Sequence, residues 1–323
     1  MEARFTFVDR STSAPMKMCE AVKEGLDAAP RSLPTRFLYD RAGSELFEQI
    51  TRLPEYYLTR TEQAILNRYG AGIAETAGEN TMLIEFGSGS SMKTRLLIEA
   101  ILQRQADLRY VPIDISHDFL CQSSDALLAD YSRLTIEALG AEYFDAVQSL
   151  PAHDGPRLIL FLGSNIGNFT YDQSLDILVR LRLQMTPVDR LLLGIDLAKS
   201  RSIVEPAYND AQGVTAAFNL NLLARINREL DANFDLGSFA HRAPYDETLE
   251  RVEMQLISLT EQSVCIDGIG KSYRLAPGEA IHTEWSHKYT IESFTRLAGE
   301  AGLKLEQHWT DPNAWFATVM LKS

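Results

Sequence analysis

Three cysteines in 323 residues, Cys19, Cys121 and Cys265, are too few and too far apart for a disulfide framework or a paired metal-ligand set. A reducing, cytoplasmic setting is therefore expected. No apolar run approaches the ~18 residues that suggest a membrane span. The start, MEARFTFVDRSTSAPMK, lacks a basic segment followed by an apolar one, so it does not read as a signal peptide. Its first dozen residues are expected to be loosely ordered. Positive charge is also scarce. Lys and Arg number 31 against 44 Asp and Glu, for a formal charge of −13. That balance excludes a partner held by its phosphate backbone. The six histidines include no HExxH pattern, and His282 and His287 lie five apart, so no metal site is expected. No internal repeat or low-complexity stretch is visible. A monomer acting on a small molecule, without nucleic acid or membrane, is expected.

The most informative segment that is present is Leu83-Ile84-Glu85-Phe86-Gly87-Ser88-Gly89-Ser90-Ser91. It reads as a buried strand entering a tight Gly/Ser loop. A helix follows over 93–105, with Leu96, Leu97, Ala100 and Ile101 on one face. A second apolar strand, 110–115, carries Asp114, which lies 25 residues after Gly89. Glycines admit a ligand where a Cβ would clash, and an acid at a strand end accepts hydrogen bonds from ribose hydroxyls. A dinucleotide loop would read G-x-G-x-x-G, and the third glycine is missing here. Glu85, two residues before Gly87, suits a cationic ligand better than a phosphate. S-adenosylmethionine has a sulfonium, an ammonium and a ribose, and no phosphate, so it is the expected ligand ahead of a nicotinamide cofactor.

Elsewhere the pattern alternates. Thr59-Arg60-Thr61-Glu62 reads as a capping box opening a helix. A helix is expected near 118–130. Arg157 to Leu162 is continuously apolar, as in a strand buried on both faces, and ends in Gly163-Ser164-Asn165-Ile166-Gly167-Asn168. A helix over 175–183 and a strand over 191–197 follow. Repeated βα units imply a parallel, doubly wound sheet. The end of the chain reads as a helix over 290–301 and two strands, 303–309 and 315–321, joined by a Thr-Asp-Pro-Asn turn. A helix and terminal β-hairpin are the usual end of a class I methyltransferase sheet. The expected fold is thus α/β, a Rossmann-like methyltransferase domain over 61–198 and 288–323. Residues 1–60 and 199–287, including a long helix over 214–230 and β-like runs such as 252–259, break the alternation. They are expected to form a second, α+β, substrate-binding domain.

The strings SLPTRFLYDRAGSELFEQITRLPEYYLTRTE, IEFGSGSSMKTR, FLGSNIGNFT, AYNDAQGVTAAFNLNLLARINRELDANFD and TEWSHKY together closely resemble the L-histidine Nα-methyltransferases of ergothioneine biosynthesis. The resemblance runs from about Gly25 to the end. It implies S-adenosylmethionine-dependent trimethylation of the α-amine of L-histidine, through the mono- and dimethylated forms, to hercynine. The family also contains fungal relatives acting on prenylated tryptophan, so another aromatic amino acid such as tryptophan is the alternative substrate. Carried onto this chain, the resemblance implies that Gly87, Lys93, Asp114, Glu142 and Tyr143 surround the methyl donor. It implies Tyr39 near the reacting methyl, and Tyr39 and Asn168 as the catalytic pair. Glu142-Tyr143 departs from the usual Asp-Phe, although an acid beside an aromatic still suits an adenine. Tyr56, Asn168, Tyr208, Glu284 and Ser286 are implied on the histidine, with Phe47, Gly163 and Met254 lining the pocket.

The residue types suit the reaction. The amine must be neutral to attack, and its trimethylated product is a quaternary cation that aromatic faces such as Tyr39 and Phe47 would stabilise. Asn168 and Tyr208 offer donors to a carboxylate. Glu284 and Ser286 alternate with Trp285, so on a strand they face one side, and a carboxylate beside a hydroxyl suits an imidazole better than an indole.

Overall fold

The computed structural model describes residues 4–10 and 14–323. The chain opens with β1 (Phe5–Asp9), α1 (Ala14–Asp27), β2 (Arg31–Ser32), α2 (Arg41–Ile50) and α3 (Tyr57–Ala77). The alternating part runs β3 (Met82–Phe86), α4 (Thr94–Leu102), β4 (Leu108–Asp114), α5 (His117–Asp130), β5 (Leu134–Gly140), the short α6 (Tyr143–Ala146), β6 (Arg157–Phe161), α7 (Tyr171–Gln184) and β7 (Arg190–Asp196). Next come α8 (Arg201–Tyr208), α9 (Val214–Glu229), β8 (Phe239–Arg242), β9 (Tyr245–Asp246), β10 (Arg251–Ser258), β11 (Gln262–Ile266), β12 (Lys271–Leu275) and β13 (Ala280–His287). The chain closes with α10 (Ile291–Glu300), β14 (Lys304–Thr310) and β15 (Phe316–Lys322). Among the described residues no helix is long and apolar enough to cross a membrane.

The chain divides into two compact units. The first takes β1, Leu58–Ala198 and His287–Ser323. Its sheet has the order β1-β5-β4-β3-β6-β7-β15-β14. The strands from β1 to β7 are parallel, and β15 joins β7 antiparallel before pairing with β14. This is the doubly wound sheet with a terminal hairpin that the pattern predicts. Met82, Ile84, Phe86, Ile159, Phe161, Leu191 and Leu193 share one core with Ile177, Leu178 and Leu181 of α7 and Phe294 and Leu297 of α10. The alternate residues Leu83, Tyr110, Leu158, Leu160 and Leu192 are buried as well. Both faces are therefore covered, which explains the unbroken apolar strands. The order reverses between β3 and β6, where open α/β sheets hold ligands beyond the carboxyl ends of the strands.

Two expectations about the start of the chain need correction. Phe5–Asp9 is an edge strand, paired in register with Ile136–Gly140, rather than loosely ordered. Residues 5–9 thus belong to the sheet unit and not to the substrate domain assigned to 1–60. The rest of the first dozen, 1–3 and 11–12, lies outside the described residues.

The second unit ends its first segment at Tyr57 and takes up again over Lys199–Ser286. Its main sheet runs β2-β13-β10-β8, with β9 also on β10, and β11 and β12 form a separate hairpin. Helix α9 packs on α2 and on β8 and β10. Asp40 caps α2 by accepting from the Gly43 N–H at 2.8 Å, and also accepts from Asn221 (2.7 Å) and Arg228 (2.6 Å) of α9. Burial disfavours its charge, but these bonds outweigh that and hold the carboxyl below the usual aspartate range. One acid thereby fixes α2 against α9. Gly43 permits the close approach, since a Cβ there would lie 1.7 Å from the Leu38 carbonyl oxygen.

Candidate active site

In the first unit predicted donor-binding groups and two predicted substrate residues, Gly163 and Asn168, stand at the carboxyl ends of the strands. Gly87 follows β3, Asp114 ends β4, Glu142 follows β5, and Gly163 and Asn168 follow β6. Gly87 has φ +70°, and a Cβ there would lie 2.3 Å from the Tyr143 hydroxyl, so the phenol closes over bare backbone. The Tyr143 ring meets Phe86, Phe161 and Phe169 edge-on. Asp114 accepts from the Gly89 N–H at 3.0 Å on one oxygen and from the Ser116 N–H at 2.9 Å on the other. Burial raises its carboxyl, while the amides of Ser116, Gly89 and Ile115 pull the other way. Each carboxylate oxygen keeps lone-pair capacity for a ligand hydroxyl.

Glu85 does not face a ligand. It is 2% exposed, and its oxygens accept from Thr94 Oγ1 at 2.6 Å and from the Tyr110 hydroxyl, which in turn meets Ser91 Oγ at 3.1 Å. The acid that suggested a cationic ligand instead ties β3, β4 and the glycine loop together from beneath. Burial raises its carboxyl to about 7, against the bonds from Thr94 and Tyr110 and the Lys93 charge. An unfolded glutamate titrates near 4.5, so the folded state binds the extra proton between those two values. Stability therefore falls as pH rises through that window and is level above it. Glu85→Gln should match the wild type near pH 4 and exceed it at pH 8, by up to about 3 kcal/mol. Urea unfolding at both pH values checks this; an unchanged pH slope in the variant would clear Glu85 of the effect.

Glu62 is also used differently from expectation. Helix α3 begins at Tyr57, so Glu62 lies within the helix and caps nothing. Its carboxylate accepts from the Gly163 N–H at 2.9–3.0 Å and pairs with Lys93.

The second unit gathers the other predicted residues around an aromatic cluster. Tyr39, just past a 3-10 turn over Thr35–Leu38, meets Phe47 and Phe218 edge-on at 5.7 and 5.4 Å. Phe47 continues to Tyr56 at 6.2 Å, and Tyr56 to Tyr208 at 6.3 Å. The Tyr208 hydroxyl lies 2.7 Å from Ser286 Oγ. Met254 on β10 and Glu284 and Ser286 on β13 are all buried. Thr283 Oγ1 donates to the Met254 carbonyl, joining the two strands. The burial alternation of β13 slips by one at Thr283-Glu284, and Trp285 stacks on His282 three residues back. Thr283 and Glu284 are thus buried in succession, so both faces of β13 are covered there.

Phe218, His241 and Asn219 were not singled out by sequence. Tyr208 ends α8, so its carbonyl has no partner within the helix. His241 Nε2–H donates to it at 2.8 Å, and Asn219 Nδ2 donates to His241 Nδ1 at 3.0 Å. Burial holds the imidazole pKa below its usual value, in keeping with this neutral form. The sole available signal was the Phe218, Leu222, Ile226 spacing, which marks a buried helix face without saying what it faces.

A family model described as histidine-specific, S-adenosylmethionine-dependent methyltransferase matches residues 18–323. The chain belongs to that family. Histidine N-alpha-methyltransferase of Mycolicibacterium smegmatis is 43% identical over 93% of both chains. The protein of that name from Mycobacterium tuberculosis is 41% identical over 90% of both. A more distant relative, L-tryptophan methyltransferase of Psilocybe serbica, is 28% identical over 94% of this chain and 92% of its own. The methyl donor implied by the family fits the first unit. Asp114 retains acceptor capacity, Lys93 supplies a cation, and among the described residues the buried Ser88 hydroxyl has no protein partner.

Proposed function

We propose that this chain transfers three methyl groups in succession from S-adenosylmethionine to the α-amine of L-histidine, giving hercynine in ergothioneine biosynthesis. The observation that carries the substrate is the buried group formed by Glu284, Ser286 and the Tyr208 phenol beside an aromatic cluster. A carboxylate accepts from an imidazole N–H, and a serine hydroxyl can serve the second ring nitrogen.

The donor, when bound, supplies an electrophilic methyl on a sulfonium. Asp114 would accept from its ribose hydroxyls, Lys93 would face its carboxylate, and Glu142 and Tyr143 would frame its adenine, with Gly87 letting the Tyr143 hydroxyl close over the backbone there. Asn168 and Tyr208 hold the histidine carboxylate, which orients the amine for in-line attack. Free α-amines titrate near ~8, so desolvation among aromatic rings favours the neutral nucleophile. Tyr39 and Phe47 form the wall against the growing methylammonium, a contact of roughly 0.5–2 kcal/mol. In the second unit Tyr56 and Met254 complete the lining.

Incubation of the purified protein with excess donor and a panel of amino acids, read by mass, tests this. Histidine should gain one, two and three methyls, with the trimethylated species accumulating. Arrest after one methyl would overturn the reaction extent. Preference for tryptophan would overturn the substrate.

A further inference from the structure

The Thr-Arg-Thr-Glu segment that looked like a helix cap has another use. We infer that Glu62 is a positioning residue that holds Lys93 for the donor's carboxylate and pins the β6 loop. This rests on the reading, given above, that Lys93 meets that carboxylate. Glu62 is fully buried, and the structure makes room for it: a Cβ on Gly194 of β7 would fall 1.9 Å from Glu62 Oε1. Its oxygens accept from Lys93 and from the Gly163 N–H. The two anchored groups, Lys93 and Gly163, follow different strands of the sheet, β3 and β6.

The placement of Lys93 makes a counterion necessary. It occupies the N-cap position of α4, where the helix dipole disfavours a cation. The Lys93 side chain still keeps 20% exposure, whereas Glu62 keeps none. The carboxylate is thus the buried anchor, and the ammonium is the end left with access to a ligand. An ammonium has three donors, and Glu62 takes one. A Cβ on Gly163 would stand 3.2 Å from Lys93 Nζ, so the bare glycine lets the ammonium pack against the loop after β6. A fixed cation at a helix N-terminus then forms a ready site for a carboxylate.

A buried ion pair by itself is weak evidence for anything beyond local structure, so the test must separate positioning from support. Calorimetry would measure binding of S-adenosylmethionine and of its decarboxylated analogue to the wild type, Glu62→Gln, Lys93→Met and the double variant. Glu62→Gln should weaken the carboxylated donor by about tenfold, the scale of one charge-assisted hydrogen bond. It should leave the decarboxylated analogue unaffected. In turnover the donor KM should rise, with kcat at saturating donor and the histidine KM retained, because the glutamine oxygen can still accept from Gly163. In the Lys93→Met background the Glu62 change should add nothing. Equal weakening of both ligands, unchanged donor affinity, or a full loss persisting without Lys93 would each overturn the inference. Wild-type affinity in Lys93→Met alone would remove Lys93 from the carboxylate, and the inference would fall with it. If Glu62→Gln does not fold, Glu62→Asp, which keeps the charge one methylene short, should show the same selective loss.

Discussion

Replacing Asp114 by alanine should weaken binding of S-adenosylmethionine by about ten- to a hundredfold while the protein stays folded. The carboxylate stands at the end of β4 and is held by the Gly89 and Ser116 amides at 3.0 and 2.9 Å. Those bonds fix its direction, so the variant loses two things. It loses the charge-assisted bonds to the ribose hydroxyls, worth roughly 1.5–3 kcal/mol. It also releases the Gly89 amide and loosens the loop that the donor must meet. Asp114→Asn separates the two, because an amide oxygen keeps one backbone bond without the charge, and it should fall between alanine and wild type. Calorimetric titration of each variant is the measurement. Unchanged affinity in a folded Asp114→Ala would refute the assignment, and tight binding of NAD to the wild type would refute the donor class.

What the sequence disclosed was what local pattern can encode. The β3 strand, its glycine loop and the acid ending β4 follow from residues that touch one another along a short stretch. The terminal hairpin was equally plain, because Trp315 to Leu321 and its partner bracket a Pro-Asn turn. β5 escaped notice, since Leu134-Thr-Ile-Glu-Ala-Leu mixes strand-like alternation with good helix formers. β1 escaped because its partner lies far along the chain, at Ile136–Gly140. The side-chain errors share that cause. Glu62 looked like a cap because its partners, Lys93 and Gly163, are remote in sequence. Glu85 looked like a ligand group because nothing nearby shows that Thr94 and Tyr110 take its oxygens. Phe218 was invisible for a different reason: an apolar residue on a buried helix face reads the same whether it meets core or substrate. The role of Glu284 came through the family resemblance, and strand alternation then placed it with Ser286.

Glu284 also carries the sharpest expected change in specificity. It is 6% exposed and lies on β13 two residues before the buried Ser286. If it accepts from the imidazole N–H, Glu284→Ala should lower kcat/KM for histidine by about a hundredfold, from the loss of a bond to a buried charge. Donor affinity should be unaffected, since Glu284 is assigned to the substrate's ring and not to the donor. The same change removes a buried acceptor that an indole cannot satisfy equally at both positions, so turnover of tryptophan should rise from its wild-type level. Asn168→Ala provides the contrast. Its amide is assigned to the carboxylate common to all amino acids, so it should damage histidine and tryptophan alike. Steady-state kinetics of both variants on both substrates decides the matter. A Glu284→Ala protein with wild-type histidine kcat/KM would remove that residue from the site. A histidine-only defect in Asn168→Ala would mean that Asn168 reads the ring, and that the carboxylate and imidazole ends of the substrate must be exchanged.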